Sequence, residues 1–390
     1  MERYSAAVTF AQRSAEEVPI DVAFGRVLSR AIVATADYPS AVRASMDGFA
    51  VHAAATPGTL RISGAIEIAA APVRALGTNE AMHIPTGGTL PDGADAVVPV
   101  EAARLEGEML HVASAVPAGD CVIASGADMR QGEAVLEAGR RIGSPELGVL
   151  ATLGVVNVPV YRRPEIAVLS CGDELIPPAQ QPRAGEVRDS NPHALSGTLL
   201  AIGTQPRRYP VVRDREGALE TALARALDEC DAAIVSGGSS VGEHDFTQAA
   251  VDALGRPGVV VHGLRIRPGR PTLLGAIDSK PVIGLPGNPA SALFVLEAVV
   301  APIFATLTGA AVPARETGVT LGAPIRGREG WTWFVPLALR DALAYPLPID
   351  SFATSLAARA SGYLRVGGDR VEYAAGERVS MRRFLAGGAR

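Results

Sequence analysis

The sequence predicts a multidomain α/β protein, and three changes of pattern along its 390 residues indicate this fold class. Strand-like and helix-like segments alternate over residues 165–308, which predicts a central, doubly wound and mostly parallel sheet with helices on both faces. Residues 36–131 are rich in Gly, Pro and short strand-like runs such as Ala96–Val100 and Leu110–Ala113, so an inserted β-rich domain is expected. After residue 310, short strands parted by turn residues predict a small β-barrel, with a sandwich as the alternative.

A partly helical linking domain completes the expected architecture. Residues 5–30 are expected to be helical, and an apolar, partly helical pattern returns around Glu146–Leu153. Because this return follows the β-rich segment, the linking domain is expected to be discontinuous, with the β-rich domain inserted into it. The expected domains are the linking domain at 1–35 and 132–160, the β-rich lid domain at 36–131, the α/β domain at 161–309 and the barrel at 310–390.

The elements of the α/β domain follow from apolar runs and helical spacing. Leu219, Leu223 and Leu227 recur every four residues, which places them on one face of a helix. Short runs of buried-type residues between such helices are typical of parallel strands. Strands are expected at Glu165–Ser170, Arg208–Val212, Ala232–Val235, Val259–Val261 and Pro281–Leu285, and helices at Pro192–Ile202, Arg215–Glu229, Thr247–Leu254 and Ala290–Leu307. The barrel strands are expected at Val319–Leu321, Trp331–Leu339, Leu343–Pro346, Tyr363–Val366 and Val371–Tyr373.

Composition excludes several classes of function. The net charge of −5 gives the chain no overall attraction for nucleic acid. Three cysteines, far apart and without metal-ligand spacing, fit a reducing cytoplasm better than a disulfide framework or a zinc site. The longest apolar stretch, Ala290–Leu307, contains Glu297 and Pro302, so a buried helix is expected there and not a membrane span. No secretory signal pattern opens the sequence, and a cytoplasmic protein is expected.

Two turns held rigid by proline and glycine point to an anion site. They are Arg267-Pro-Gly-Arg-Pro271 and Leu285-Pro-Gly-Asn-Pro289, and the second lies between a strand and a helix. A glycine turn that enters a helix presents backbone N–H groups and the positive end of the helix dipole. Arg267 and Arg270 would add planar, two-pronged donors for an oxyanion. Two purely structural turns are the alternative.

Three polar or glycine-rich loops follow expected strands, and this convergence is the main evidence for a site. The loops are Gly172–Glu174, Ser236–Ser239 and Pro286–Pro289. In parallel sheets, ligands bind at the carboxyl ends of the strands. Gly237, Gly238, Ser239, Pro286, Gly287, Asn288 and Pro289 are therefore candidate ligand-binding residues together with the two arginines.

Acidic residues beside an anion site indicate a divalent cation. Asp173, Glu174 and Asp245 would repel an anion unless a hard cation such as Mg²⁺ lay between them. Helix capping and solvated turns are the alternative for each carboxylate. The chain has no nucleotide P-loop, no GxSxG elbow and no Cys/His nucleophile pattern, and His244 is the histidine nearest to these loops. Positioning and electrostatics are therefore the expected mode of catalysis.

The chain resembles the MoeA-type molybdopterin molybdenumtransferases, the family that includes the gephyrin E domain. The resemblance rests on about ten motifs in family order and is weakest after residue 310. Besides the two turns, the matching segments are Phe24-Gly-Arg-Val-Leu28, Ser45-Met-Asp-Gly-Phe-Ala50, Ile84-Pro-Thr-Gly-Gly-Thr-Leu-Pro91, Gly93-Ala-Asp-Ala-Val-Val98, Gly126-Ala-Asp128, Ser170-Cys-Gly-Asp-Glu-Leu175, Asp189-Ser-Asn191 and Ser236-Gly-Gly-Ser-Ser-Val-Gly242 with Asp245.

This resemblance implies a reaction and a set of roles. Molybdate would replace the adenylate of adenylyl-molybdopterin, giving molybdenum cofactor and AMP, with Mg²⁺ as the divalent ion. It also implies a homodimer, in which the partner's β-rich domain completes the site, and a molybdopterin adenylyltransferase is a candidate second partner. The implied catalytic residues are Asp47, Thr86, Asp128, Glu174 and Asp214. The implied metal residues are Asp173, Glu174 and Asp245, and the implied molybdate-side residues are Arg267, Arg270, Pro286 and Pro289.

Three departures from the family pattern keep other functions open. Most relatives have lysines where this chain has Arg267 and Arg270, and a further lysine position is Gly263 here. The stretch Ala41–Ser45 lacks the acidic residue that is usual in relatives. A catalytically weak binding or scaffold protein is therefore the main alternative. An adenylyltransferase is a third, disfavoured because those relatives have a Thr-Thr-Gly-Gly-Thr-Gly type loop where this chain has Val235-Ser-Gly-Gly-Ser-Ser240.

Overall fold

The chain folds into two compact units. The computed structural model describes residues 2–10, 14–238, 246–309, 315–349 and 353–385. The first unit comprises residues 1–29, 139–147 and 157–390, and the second comprises residues 30–138 and 148–156. The four domain boundaries expected from the sequence stay a prediction.

A six-stranded, mostly parallel sheet forms the centre of the first unit. Its strands are β1 Glu165–Ser170, β2 Gln205–Arg208, β3 Ala232–Ser236, β4 Pro257–His262, β5 Leu273–Ile277 and β6 Lys280–Leu285. Their order is β2–β1–β3–β6–β5–β4, in which the first four are parallel and the last two antiparallel to their neighbours. Ser170, Ser236 and Leu285 lie side by side in register at the carboxyl ends of three neighbouring strands. The loops that follow these residues therefore leave the sheet at the same level.

Helices cover both faces of this sheet, which confirms the doubly wound arrangement. Alternate residues of β1 point to opposite sides, with Ile166 in one hydrophobic cluster and Ala167 in another. The first cluster includes residues of the helix at 191–201 and of the helices after 289, and the second includes residues of the helices at 218–229 and 246–254. The helices are α1 Asn191–Ala201, α2 Ala218–Glu229, α3 Phe246–Leu254, α4 Pro289–Val295 and α5 Ala301–Thr308, with a π-helical segment Leu296–Val300 between the last two.

The continuous helix Pro289–Thr308 is long and apolar enough to cross a membrane by length and composition. It lies inside the protein, however, because 72% of its apolar window is buried. Its residues pack on β1, β5 and β6 and on aromatic residues of the barrel described below, such as Phe334 and Tyr363. This is the packing of a core helix, as the sequence predicts.

The C-terminal region is a closed, five-stranded barrel. Its strands are β7 Glu316–Leu321, β8 Thr332–Arg340, β9 Leu343–Pro346, β10 Gly362–Val366 and β11 Arg378–Arg382. The pairings run β8–β9–β7–β11–β10 and return to β8, so the barrel prediction is confirmed over the sandwich. A short segment of the α/β region, Ile266–Arg267, pairs with β8 at Thr332 and Trp333. Further elements here are Ile325–Arg326 paired with Glu372–Tyr373, and the helix Thr354–Arg359.

Two predictions in the first unit were wrong. Residues 5–30 are not one helix: a helix covers Glu2–Ala7, and Ala15–Pro19 is a strand paired with Asn157–Tyr161. Pro19 limits helix formation there, and the pairing with a distant strand outweighs local helical preference. The second strand of the sheet covers Gln205–Arg208 and ends where the prediction began it. It is an edge strand, a place where its proline is tolerated.

The second unit is β-rich, as expected. Its main sheet has the order Ala96–Pro99, Gly48–Val51, Glu80–Ile84, Gly58–Ala65, Met109–Val112 and Arg104–Glu106. Phe49 and Ala50 belong to different hydrophobic clusters, so apolar side chains pack on both faces. Two further pairs join Arg43–Ala44 with Val122–Ile123, and Ile32–Val33 with Ala134–Leu136. The described residues also include the helix Ser144–Thr152, the short pair Leu175–Ile176 with Val187–Arg188, and three 3-10 helices at Ile20–Val22, Ala53–Ala55 and Val100–Ala102.

Candidate functional site

A cavity of about 660 Å³ opens at the carboxyl ends of β1, β3 and β6, and we call it the main cavity. The three loops predicted to converge all contribute to its wall. Its volume lies within the usual range for small-molecule sites. The predicted site residues that line it are Glu174, Asp214, Gly237, Gly238, Gly287, Asn288 and Pro289.

Glycine at position 237 is required by a close approach of backbones. Gly237 has a φ of +88°, and a Cβ there would lie 2.3 Å from the carbonyl oxygen of Cys171. Its own backbone in turn lies close to Gly287, where a Cβ would be 3.5 Å from the Gly237 Cα. The loops after β1, β3 and β6 are therefore stacked closely, because glycines stand at the contact.

Replacing Gly237 with alanine should destabilise the protein by at least about 2 kcal/mol, since a left-handed backbone is combined with a clash against backbone. Gly217→Ala is the matched control: Gly217 also has a positive φ, +74°, but open space where its Cβ would lie. We expect this control to lose only about 1 kcal/mol of unfolding free energy, because only the left-handed backbone is unfavourable there. Urea unfolding of both variants measures the difference, and equal losses would show that the contact with Cys171 is unimportant.

Side-chain hydrogen bonds connect two of the three loops behind the glycines and hold the end of β1 to Asp189. Asn191, at the start of α1, donates from Nδ2 to Ser236 Oγ at 2.7 Å and to the Gly287 carbonyl at 2.8 Å. Ser170 Oγ donates to Asp189 Oδ1 at 3.0 Å. Asn191 Oδ1 is buried and has no hydrogen-bond partner in the described part of the chain. The amide group thus fixes two loops and leaves one acceptor unused.

Two groups in this wall have shifted pKa values. Burial raises the pKa of the Asp189 carboxyl above its usual value, and hydrogen bonding from Ser170 opposes the shift. Burial also raises the pKa of the Cys171 thiol, to about 12. The thiol is therefore neutral at physiological pH and is a poor nucleophile.

The predicted acidic group is partly assembled in the described residues. Glu174 and Asp214 line the main cavity, and the Asp214 N–H donates to Asp173 Oδ1 at 3.3 Å. Arg213 Nη1 donates to the Asp173 carbonyl at 2.8 Å, which holds this loop. Within the described ranges, no three His, Cys, Asp or Glu side chains are placed to hold a metal ion. The predicted residues Ser239 and Asp245, and the neighbouring His244, lie outside the described residues.

A second cavity, of about 330 Å³, contains the predicted arginines, and we call it the arginine cavity. Arg267, Arg270, Pro286 and Asn288 line it, together with Trp331 and other residues. Asn288 lines both cavities, so the two lie side by side at the N-terminus of the core helix. Both predicted turns contribute to the arginine cavity, the first through Arg267–Pro271 and the second through Pro286 and Asn288. The second turn also reaches the main cavity through Gly287, Asn288 and Pro289.

Two of the predicted residues in the second unit are hydrogen-bonded to each other. Asp47 Oδ1 accepts from the Thr86 N–H at 2.7 Å and from Thr86 Oγ1 at 3.0 Å. These bonds, the backbone one foremost, lower the pKa of the Asp47 carboxyl below its usual value. Asp128 is exposed in the same unit, and its N–H donates to the Tyr38 carbonyl at 3.1 Å. The structure thus joins Asp47 to Thr86, with Asp47 held in its charged form.

Thr86→Val should raise the pKa of Asp47 toward its usual value without restoring it fully, because only the hydroxyl bond is lost. Thr86→Ser keeps the hydroxyl and should leave the pKa where it is. Titration of the Asp47 carboxyl carbon by NMR measures the shift. Because the folded pKa is depressed, the stability contributed by Asp47 is present above its unfolded pKa and is lost as the pH falls through the folded one. Equal titration of all three proteins would contradict a role for the hydroxyl.

Sequence reasoning assigned no role to Asp189, Asn191 or Ser236, although all three line the main cavity. Asp189 and Asn191 stood within a family motif, and Ser236 was part of a predicted loop. The signal that could have identified them is position: each lies at the end of a strand or the start of a helix beside the predicted loops.

The fold and cavities define a class: multidomain α/β proteins that bind a small ligand at the carboxyl edge of a parallel sheet, beside a basic cavity. Residues 1–154 match the family model described as "MoeA N-terminal region (domain I and II)". Residues 167–306 match the one described as "Probable molybdopterin binding domain". The chain belongs to the MoeA family.

Curated relatives are consistent with this membership. The chain is 31% identical over 310 residues to the molybdopterin molybdenumtransferase of Nostoc sp., covering 77% of this chain and 71% of that protein. It is 32% identical over 297 residues to the molybdopterin molybdenumtransferase of Haemophilus influenzae, covering 75% of this chain and 73% of that protein.

Solved structures match almost the whole length of the chain. Two crystal structures of the molybdopterin biosynthesis MoeA protein from Pyrococcus horikoshii match 98% of this chain. One has a TM-score of 0.82 and 29% identity, with 97% of that chain covered. The other has a TM-score of 0.86 and 26% identity, with 98% covered.

Proposed function

We propose that this protein is a molybdopterin molybdenumtransferase, which inserts molybdate into adenylyl-molybdopterin and releases AMP. The observation that supports this most directly is the pair of adjoining cavities that share Asn288. The larger is of a size for an organic ligand. The smaller is lined by two arginines, groups suited to an oxyanion.

The chain's own residues would then act mainly by positioning the two reactants, the pterin and molybdate. The glycine loops that carry Gly237 and Gly287 would let a charged ligand approach the backbone closely. The helix that begins at Pro289 would place its positive end toward bound anions. Arg267 and Arg270 would hold molybdate beside the ligand in the main cavity. Placing the two reactants side by side is itself a large part of catalysis in such transfers.

Magnesium dependence is part of the proposal. Glu174 and Asp214 line the main cavity and Asp173 contacts Asp214, so negative charge is concentrated near the expected phosphate groups. The described residues alone do not form a metal site. With Asp245 as a further ligand, Asp173 and Glu174 would hold a divalent ion that offsets the charge between acids and phosphates.

Partners and location complete the proposal. We expect a homodimer in which Asp47, Thr86 and Asp128 of the partner's β-rich domain complete the site. An adenylyltransferase would supply the adenylylated pterin. A cytoplasmic location fits the free cysteines and the buried apolar helix. The negative net charge disfavours nucleic acid as a partner.

The deciding experiment is AMP release from adenylyl-molybdopterin with Mg²⁺, with and without micromolar molybdate. Release that depends on molybdate, with molybdenum recovered on the pterin, is the expected result. Omitting Mg²⁺, or replacing it with a chelator, tests the metal separately. Release that is independent of both would overturn the proposal.

The second candidate function is a binding or scaffold protein that has kept the fold without turnover. It is favoured by one feature, arginines at positions 267 and 270 where the family resemblance leads us to expect lysines, because the two side chains are not interchangeable at a tight oxyanion site. Tight pterin binding without AMP release would select this alternative.

A further inference from the structure

Arg267 lies against a tryptophan of the barrel. Its guanidinium carbon is 4.7 Å from the centroid of the Trp333 ring, a distance typical of a cation–π contact. The two residues face each other across paired strands, because Ile266–Arg267 runs parallel to β8 with Arg267 opposite Trp333. The backbone pairing is extended by a bond from the Thr332 N–H to the Arg265 carbonyl at 2.9 Å. The contact is therefore fixed by main-chain pairing.

The turn that carries Arg267 is itself held rigidly. The Leu264 N–H donates to the Arg270 carbonyl at 2.9 Å, and Thr272 Oγ1 donates to the Gly269 carbonyl at 2.6 Å. Gly269 lies directly against the core helix, where a Cβ would meet Val295 at 2.2 Å. The backbone of the turn is thus fixed, whereas the Arg267 side chain is exposed and would otherwise sample many rotamers.

We propose that Trp333 is a positioning residue for the oxyanion site, which stacks on the Arg267 guanidinium and holds it ready for the anion in the arginine cavity. An exposed arginine must lose side-chain freedom when it binds an anion, and a stacked arginine has lost much of it beforehand. The planar guanidinium group of an arginine can stack flat on the indole ring, whereas the ammonium group of a lysine is not planar and cannot stack in this way. The arginine at this position and the tryptophan of the barrel therefore act as one unit. This inference rests on the proposed function.

The main test separates binding of molybdate from turnover. In the AMP-release assay, Trp333→Leu should raise the KM for molybdate about 5- to 10-fold, from the usual strength of a cation–π contact, while kcat changes less than about 2-fold. Trp333→Phe keeps a ring under the guanidinium and should restore most of the affinity. Tyr373→Leu is the matched control: it removes the ring under another arginine, Arg370, whose guanidinium carbon is 4.4 Å from the Tyr373 ring centroid, and it should leave the KM unchanged.

A double-mutant cycle shows whether Trp333 acts through Arg267. Arg267→Ala should itself raise the KM for molybdate, and adding Trp333→Leu to it should raise the KM no further. Independent, multiplying effects would overturn the proposal, as would a parent-like KM in folded Trp333→Leu. Molybdate-independent AMP release by the parent protein is a different outcome, because it contradicts the proposed function itself.

Fluorescence gives a test that does not depend on the folding of a Trp333 variant. The chain has two tryptophans, Trp331 and Trp333, so Trp331→Phe leaves Trp333 as the only emitter. Saturating molybdate should change the Trp333 emission, because the anion binds the guanidinium group that stacks on the indole ring. The change should disappear in Trp331→Phe/Arg267→Ala. An emission that does not respond to molybdate in Trp331→Phe, when dialysis shows that the anion is bound, would overturn the proposal.

Discussion

Replacing Glu174 with glutamine is expected to reduce molybdate-dependent AMP release by about 100-fold or more, the usual effect of removing a group that acts in the transition state. Glu174 lines the main cavity, and its carboxylate lies against the Cα of Gly172, where a Cβ would be 2.4 Å from Oε2. Glutamine keeps the shape of this side chain and removes its charge. Pterin binding should therefore remain close to that of the parent, while kcat falls.

The control for this change is Glu220→Gln, the same chemical substitution at an exposed position in the first turn of α2. It should keep full activity. Single-turnover AMP release and a separate pterin-binding titration measure the two quantities. If Glu174→Gln turned over at the rate of the parent, the acidic group would have no part in the reaction, and the proposed magnesium site would have to be moved.

Glu297→Ala should destabilise the first unit by about 3–5 kcal/mol, the range for breaking a buried ion pair. Glu297 is 2% exposed in the π-helical part of the core helix. It accepts hydrogen bonds from Thr198 Oγ1 at 3.1 Å, Arg315 Nη1 at 3.3 Å and the Leu385 N–H at 2.9 Å. Alanine would leave the partly buried Arg315 guanidinium with only the Arg383 carbonyl as a hydrogen-bond partner among the described residues, and the Leu385 N–H without its acceptor. Urea unfolding measures the loss.

The pH dependence of this variant has a defined sign. Burial raises the pKa of Glu297 above its usual value, with Leu385, Arg315 and Thr198 opposing the shift. The folded state therefore binds the proton more tightly, and the stability contributed by this group is largest below its unfolded pKa and falls as the pH rises through the folded one. The difference in unfolding free energy between the parent and Glu297→Ala should accordingly grow as the pH is lowered.

An exposed ion pair provides the comparison for Glu297. Glu316 and Arg382 are 3.1 Å apart, with side chains 57% and 43% exposed. Removing such a pair costs about 0–1 kcal/mol. Glu316→Ala should therefore unfold close to the parent protein. A Glu297→Ala variant that unfolds at the same urea concentration as Glu316→Ala would show that the buried bonds add nothing.

The sequence was most informative where burial on both faces determines a strand. Glu165–Ser170, which is buried from Ile166 onward, was predicted with its observed bounds, because a continuous apolar run between turn residues leaves few alternatives. The convergence of three loops followed from such strands, since parallel strands end at one edge. Local pattern was insufficient at residues 5–30, where a partner far along the chain, Asn157–Tyr161, determines the strand.

The site was predicted less completely, for physical reasons. Two turns that are close in sequence were expected to build one floor, and both do line the arginine cavity, but the second turn also lines the main cavity, which the sequence did not distinguish from the first. Asn191 bridges two loops from a helix start, a relation that depends on how the helix packs. The Arg267–Trp333 contact depends on a strand pairing between the α/β region and the barrel, which no local motif indicates.

The pairing of Ile266–Arg267 with β8 has a consequence for anyone who recombines members of this family. The segment that carries the arginines and the barrel strand beneath it are far apart in sequence, yet they share backbone hydrogen bonds. A chimera that takes its α/β region from one parent and its barrel from another would combine an Arg267 position and a Trp333 position that come from different proteins. Crossover points should therefore keep residues 264–271 and 331–340 from the same parent, and a shortened protein that ends before the barrel should be a poor reagent for studying oxyanion choice.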